Sequence, residues 1–313
     1  MTQERKLNND EVKVPAENWM KGLAESKKPL NICLTNDFAF KTVFHAKGPL
    51  TGMLSAVLSI PPEEILNIEF TDTQLYGEYP DDHEGVVDIK LHLNGEKKVN
   101  IEMQLARFPS WKERSLFYLS KMFVEGFKKG RDYKELEPCI HISILNFDLE
   151  DNPPFFRTVE LWDEENNAIY SDKFSIRVLE LSQMKNASAS EQQTDIYKWA
   201  QMITAADWAA LESLGKGDEY MEAAKDEMEK INTDAAKRYH YLQAEKRAAD
   251  AAVLKHYYET EGMEKGMEKG MEKGEERLNQ LNRKLIEDGR ILDLKRAVDD
   301  KKYRQKLYEE FKL

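Results

Sequence analysis

The chain has 313 residues, 41% hydrophobic and 33% charged, which is enough apolar material for a packed core and room for more than one unit. Lys and Arg number 46 against 58 Asp and Glu, so a net charge of −12 excludes phosphate binding spread over the whole surface. Cys33 and Cys139 stand far apart and the histidines lack ligand spacing, which excludes a disulfide framework and a histidine metal site.

Residues 1–30 are polar and read as a loosely held N-terminal arm without an apolar leader. From residue 31 the pattern becomes that of an α/β unit. Thr35 or Asn36 can cap a helix carrying Phe40, Val43 and Phe44, and Gly48-Pro49 ends it. Leu50, Met53, Leu54, Val57 and Leu58 mark a second amphipathic helix, stopped by Pro61-Pro62. Residues 65–70 and 74–76 are short strand candidates before an acidic loop, Asp81-Asp82-His83-Glu84. A hairpin follows, with arms at 86–93 and 97–105 around Asn94-Gly95. Ser110-Trp111-Lys112-Glu113 reads as a capping box opening a helix that runs to about Lys129, with Gly130 as its stop. Alternation in 139–147 predicts a buried strand, and strand–helix–strand order predicts a right-handed crossover between parallel strands.

Residues 151–214 continue as a mixed extension, with strand pieces at 155–161 and 174–179 and a helical end containing Trp199 and Trp208. The expected boundary lies near Gly215-Lys216-Gly217. Residues 215–313 then hold 22 basic and 23 acidic side chains, the composition of a charged helical tail. Inside it, GMEKGMEKGMEKG at 262–274 puts glycines on one helical stripe. The repeat reads equally as a contact stripe for a partner helix or as a low-complexity linker. Leu278, Leu281 and Leu285 form a narrow seam, suited to a homo-oligomer held through the tail. No window approaches the roughly 18 consecutive apolar residues of a membrane span.

The hairpin register decides which side chains meet. A two-residue Asn94-Gly95 turn pairs Asp88 with Ile101 and mixes apolar with charged residues on one face. A longer loop of three or five residues shifts the pairing by one, so that Val87, Ile89 and Leu91 share a face with Val99, Ile101 and Met103. A buried face selects register strongly, which favours this second arrangement. Asp88 then stands opposite Glu102, with Gln104 on the same side. Facing carboxylates repel, and a shared divalent cation relieves the repulsion; oxygen donors suit Mg²⁺ or Mn²⁺. Carboxylates are also common on a solvated sheet face, and spacing alone favours that plainer reading.

The next segment shifts the balance. Residues 107–134 carry eight basic residues against three acidic ones. Arg114, Tyr118, Lys121 and Lys128 recur at spacings that share a helical face, a cationic stripe suited to a phosphodiester. Lys128 and its neighbour Lys129 also suit the negative end of a helix, an ordinary structural role.

Asn36-Asp37-Phe38 with Phe40-Lys41, Val87-Asp88-Ile89, Ile101-Glu102-Met103-Gln104, Arg114 with Tyr118, and Gly130 with Tyr133 together resemble the recombination-promoting nuclease family. That family is also described as transposases and belongs to the PD-(D/E)xK nuclease superfamily. The resemblance spans about residues 31–180. It implies an α/β, restriction-endonuclease-like core, a mixed sheet flanked by helices, and a Mg²⁺-dependent DNA endonuclease. It further implies Asp88 and Glu102 as metal ligands, Gln104 in the place of the usual lysine, and Asp37 as the acidic residue of the first helix, for which N-terminal capping is the alternative. Val87 replaces the proline of the superfamily name, and Gln104 cannot act as a general base.

The expectation is therefore metal-dependent DNA cleavage in a bacterial cytoplasm, linked to recombination or mobile elements, with defence against foreign DNA as an alternative setting. Two rivals stand beside it: a catalytically idle DNA-binding or transposition accessory protein, and an oligomeric helical scaffold.

Overall fold

The computed structural model describes residues 18–75 and 85–313, so the acidic loop 81–84 and most of the N-terminal arm lie outside the described residues. The chain divides into two compact units, Met1–Glu245 and Lys246–Leu313.

A mixed six-stranded sheet organises the first unit. Its strands are β1 (Ile68–Phe70), β4 (Ile89–Leu93), β5 (Lys97–Gln104), β6 (Cys139–Leu145), β7 (Phe156–Asp163) and β8 (Ala168–Glu180), in the order β1-β4-β5-β6-β8-β7. A separate ladder joins β2 (Gln74–Leu75) to β3 (Gly85–Val86). β5, β6 and β8 run parallel, and the helix α4 (Trp111–Val124) provides the expected crossover between β5 and β6.

Alternation along the central strands sends apolar and polar residues to opposite faces. Ile89, Leu91, Val99, Ile101 and Ile142 enter the main core with residues of α2 (Asp37–Phe44), α3 (Lys47–Leu58), α5 (Asp195–Thr204) and α7 (Glu219–Thr233). α7 buries Met221, Ala224, Met228 and Ile231 there, so the Gly215-Lys216-Gly217 turn joins α6 (Trp208–Gly215) to α7 inside this unit. Close approach of α3 to α7 requires a residue without a side chain at Gly52, where a Cβ would collide with Tyr220.

The opposite face is covered by α4 and is not a solvated surface. Lys98 is buried there, and its ammonium donates to the carbonyls of Met122 (2.8 Å) and Glu125 (2.7 Å), at and just beyond the C-terminal end of α4. Buried Lys90 donates to the Glu125 carboxylate at 2.7 Å. Cations suit the negative end of a helix, and these two tie α4 to β4 and β5.

Three details correct the sequence expectations for this region. Ser110 is the N-cap of α4, but its side chain makes no capping bond, so no capping box forms. The helix ends at Val124 and not near Lys129, because Gly126 takes φ +75° and Gly130 φ +91°. Residues 18–25 of the arm form a helix, α1, whose Met20 and Ala24 pack on Leu242.

The long helix α8 (Ala235–Glu287) carries the GMEK repeat, and α9 (Ile291–Asp299) and α10 (Lys301–Glu310) follow it. Of the three leucines of the expected seam, Leu281 and Leu285 close a small core with Ala297 and Leu307 of the same chain, while Leu278 stays exposed. Leu294, Tyr303 and Phe311 complete it, because the turn at Gly289 folds α9 and α10 back onto α8. The glycine stripe meets nothing: a Cβ at Gly262, Gly266, Gly270 or Gly274 has open space around it. Gly266→Ala and Gly270→Ala should therefore each raise the stability of this helix by about 0.5–1 kcal/mol in thermal melts. A fall in stability would show that the stripe packs against another helix.

Candidate active site

Asp88 and Glu102 meet because of how the hairpin closes. Leu93 pairs with Lys97, which leaves a three-residue loop of Asn94, Gly95 and Glu96, and the register continues through Leu91↔Val99 to Ile89↔Ile101. Asn94 (φ +55°) and Gly95 (φ +69°) supply the left-handed conformations that the loop needs. The Asn94 side chain also accepts from the Leu66 and Asn67 amides and donates to the Glu64 carbonyl, fixing the loop beside β1.

One step beyond Ile89 the backbone ladder stops and side chains replace it. The Asp88 amide donates to Glu102 Oε1 at 2.8 Å, and the Met103 amide donates to Asp88 Oδ2 at 3.0 Å. Each carboxylate is thus pinned through one oxygen by the other strand's backbone. The same break turns Val87 away from Ile89: Val87 packs with Leu75, Tyr118, Leu119 and Met122 on the α4 side. The expected apolar face therefore holds for Ile89, Leu91, Val99, Ile101 and Met103, but not for Val87.

The remaining oxygens face cations. Lys41 Nζ of α2 lies 3.0 Å from Asp88 Oδ1 and 2.7 Å from Asp37 Oδ1, so one ammonium joins two carboxylates. Burial pulls the Lys41 pKa down, but hydrogen bonds and charge from Asp37 and Asp88 outweigh it and hold it above the usual lysine range. Asn36, not Asp37, caps α2, accepting from the Phe38 and Ala39 amides. Asp37 is left to hold Lys41.

Glu102 is 3% exposed. Burial first, and the charge of Asp88 second, push its carboxyl up to about 8, against the favourable Asp88 amide and Arg114. Arg114 Nη2 of α4 stands 3.9 Å from Glu102 Oε2, too far for a full ion pair. Near neutral pH, Glu102 therefore holds a proton unless more positive charge arrives.

Of the other residues singled out in the sequence, Gln104 turns aside: its Nε2 donates to the Ala106 carbonyl at 2.9 Å. Tyr118 is buried, receives the Arg114 Nε–H at 2.7 Å and sits close under Gly85, where a Cβ would lie 2.5 Å from Tyr118 Cε1. It positions Arg114 and does not itself face solvent. Lys121 lies on α4 with its ammonium 5.8 Å from the Phe117 ring centroid. Lys128 lies beyond the end of α4, so it does not share the helical face of Arg114. His141, buried beneath Trp111 and Tyr118, is held neutral as burial drives its pKa down to about 3.

The motif residues give Lys41 no role by themselves; its sequence signal is the Asp37–Lys41 pair at helical spacing, a charged spot on a helix whose other face is apolar.

Among the described residues, no cluster of three or more His, Cys, Asp or Glu side chains forms a ready metal cage. Asp88 and Glu102 still fit a divalent ion. They are hard oxygen donors fixed by backbone amides, and the two negative charges held together are what a divalent cation neutralises. Mg²⁺ commonly uses one or two carboxylates and completes its shell with water and phosphate oxygens.

No curated protein and no solved structure matches the chain. A family model does match, over residues 34–258, well over half the chain and including every site residue described above. The match agrees with the mixed sheet and the α4 crossover, and the chain belongs to the PD-(D/E)XK nuclease family transposases.

Proposed function

We propose that the chain is a divalent-metal-dependent DNA endonuclease acting in recombination or mobile-element biology. The observation that carries this reading is the reciprocal pinning of Asp88 and Glu102 by each other's strands, with Lys41 and Arg114 at their outer oxygens. An arrangement of two fixed carboxylates and two cations suits phosphodiester hydrolysis. Asp88 Oδ1 and Glu102 Oε2 would hold Mg²⁺ or Mn²⁺, which supplies Lewis-acid polarisation of the scissile phosphate.

The protein's own groups do the rest. Lys41, held cationic by Asp37 and Asp88, presents an N–H donor where negative charge grows on the phosphate. Arg114, fixed by Tyr118, orients a phosphate oxygen from the α4 side. Glu102, whose pKa lies at about 8 in the metal-free protein, would give up its proton when the ion binds, so metal loading and ionisation of this carboxyl are coupled.

The test is nicking of supercoiled plasmid by the purified full chain in Mg²⁺ or Mn²⁺, with EDTA as control. Metal-dependent nicking is expected. Tight DNA binding without any nicking would favour the accessory-protein reading.

The same reading fixes a binding experiment. Arg114→Ala with Lys121→Ala should lower the slope of log affinity against log salt by about 1–2, because each lost duplex phosphate contact removes roughly 0.9. An unchanged slope would move the phosphate contacts elsewhere.

A further inference from the structure

Beside the carboxylate pair, a cleft of about 410 Å³ opens between Phe108, Ser110, Glu113, Arg114, Phe117 and Tyr118. Its character differs from that of an ordinary phosphate groove. The Arg114 guanidinium lies 5.2 Å from the Phe108 ring centroid, 5.5 Å from Trp111 and 5.1 Å from Tyr118. Trp111 and Tyr118 are buried supports, and Trp111 is anchored by its indole N–H to Ser143 Oγ at 3.1 Å. Phe108 is 39% exposed and presents ring surface to the opening. Arg114 touches both regions: its Nη2 reaches toward Glu102 while its plane sits among the rings.

We infer that this cleft is a stacking site for one unpaired base of the DNA strand whose phosphate lies at Asp88 and Glu102. The inference rests on the endonuclease reading and names its substrate class: single-stranded or locally unpaired DNA. Aromatic faces beside an arginine recognise the π-face of a base, and in a duplex that face is covered by its neighbours. Continuity through Arg114 commits the cleft to the same strand that the carboxylates engage. The net charge of −12 limits backbone attraction, so stacking adds binding to the few phosphate contacts that Arg114 and its neighbours make.

The experiment uses the full chain in EDTA, so that no cleavage occurs. A short single-stranded oligodeoxynucleotide containing 2-aminopurine, and its duplex, are titrated by anisotropy and by fluorescence quenching. The single strand should bind more tightly than the duplex and lose 2-aminopurine emission on binding. Phe108→Ala should weaken single-strand binding about tenfold and remove the quench, while Phe108→Trp keeps both. Equal affinity for the two forms, wild-type behaviour of Phe108→Ala, or no binding of either DNA would overturn the inference. A chain that quenches but never nicks in Mg²⁺ retains the stacking site and loses the endonuclease reading. One that nicks without quenching does the reverse.

Discussion

Glu102→Gln should make the metal-free protein more stable at alkaline pH while abolishing cleavage. The folded-state pKa of Glu102 is raised to about 8 from 4.5, so the folded chain binds the extra proton between those values. Its contribution is fully favourable below about pH 4.5 and is lost as pH rises through about 8. The alkaline form therefore costs the wild type roughly 3–5 kcal/mol relative to acid. Glutamine keeps an oxygen to accept the Asp88 amide and removes the titration. Melts in EDTA should show the variant and the wild type equal near pH 4 and the variant more stable at pH 9. Mg²⁺ should then stabilise the wild type at high pH and leave Glu102→Gln unmoved. Plasmid nicking by the variant should fall by about 10³-fold or more, as expected when a ligand of a Lewis-acid ion is lost. A wild type whose stability does not fall with pH would contradict the buried-carboxyl account.

Lys41→Ala should lower the maximal nicking rate by about 10²–10³-fold, the usual cost of losing one donor to developing charge. Gln104→Ala should cost less than about tenfold, because that amide is already spent on the Ala106 carbonyl. A split in the metal dependence separates Lys41 from a merely structural residue. Its ammonium occupies Asp88 Oδ1 at 3.0 Å, so removing it frees that oxygen. Half-saturation by Mg²⁺ should move to lower concentration in Lys41→Ala even as the maximal rate falls. Rates of Gln104→Ala below those of Lys41→Ala would show that Gln104, and not Lys41, carries the larger part of catalysis.

These expectations depend on features that differed in how far the sequence revealed them. The Asp88–Glu102 meeting was legible because the register is set by burial: Ile89, Leu91, Val99 and Ile101 must share a core face, and that alone brings the carboxylates together. The crossover from β5 through α4 to β6 was legible from element order. Val87 was misplaced because a side chain, and not the ladder, takes the Asp88 amide, an event with no periodic signature. The role of Lys41 toward Asp88 has no sequence signal because that partner, just before β4, is distant along the chain. The α4 terminus was overrun because Lys128 and Lys129 mimic a helix end, while the break came earlier, at Gly126.

The leucines of the tail carry a related lesson. Helical spacing at Leu281 and Leu285 shows that a partner must cover them, but it does not say which one. The sharp turn at Gly289 brings α9 and α10 of the same chain to them, and a second subunit is not required for that purpose.

The account turns on Asp88 and Glu102 jointly seating a divalent ion, and Mn²⁺ titration of the full chain, followed by electron paramagnetic resonance of free Mn²⁺, measures this without requiring catalysis. The wild type should take up Mn²⁺ more tightly above pH 8 than at pH 6, because binding displaces the Glu102 proton. Asp88→Asn and Glu102→Gln should each lose that site. Mn²⁺ uptake by either variant equal to the wild type would contradict the account.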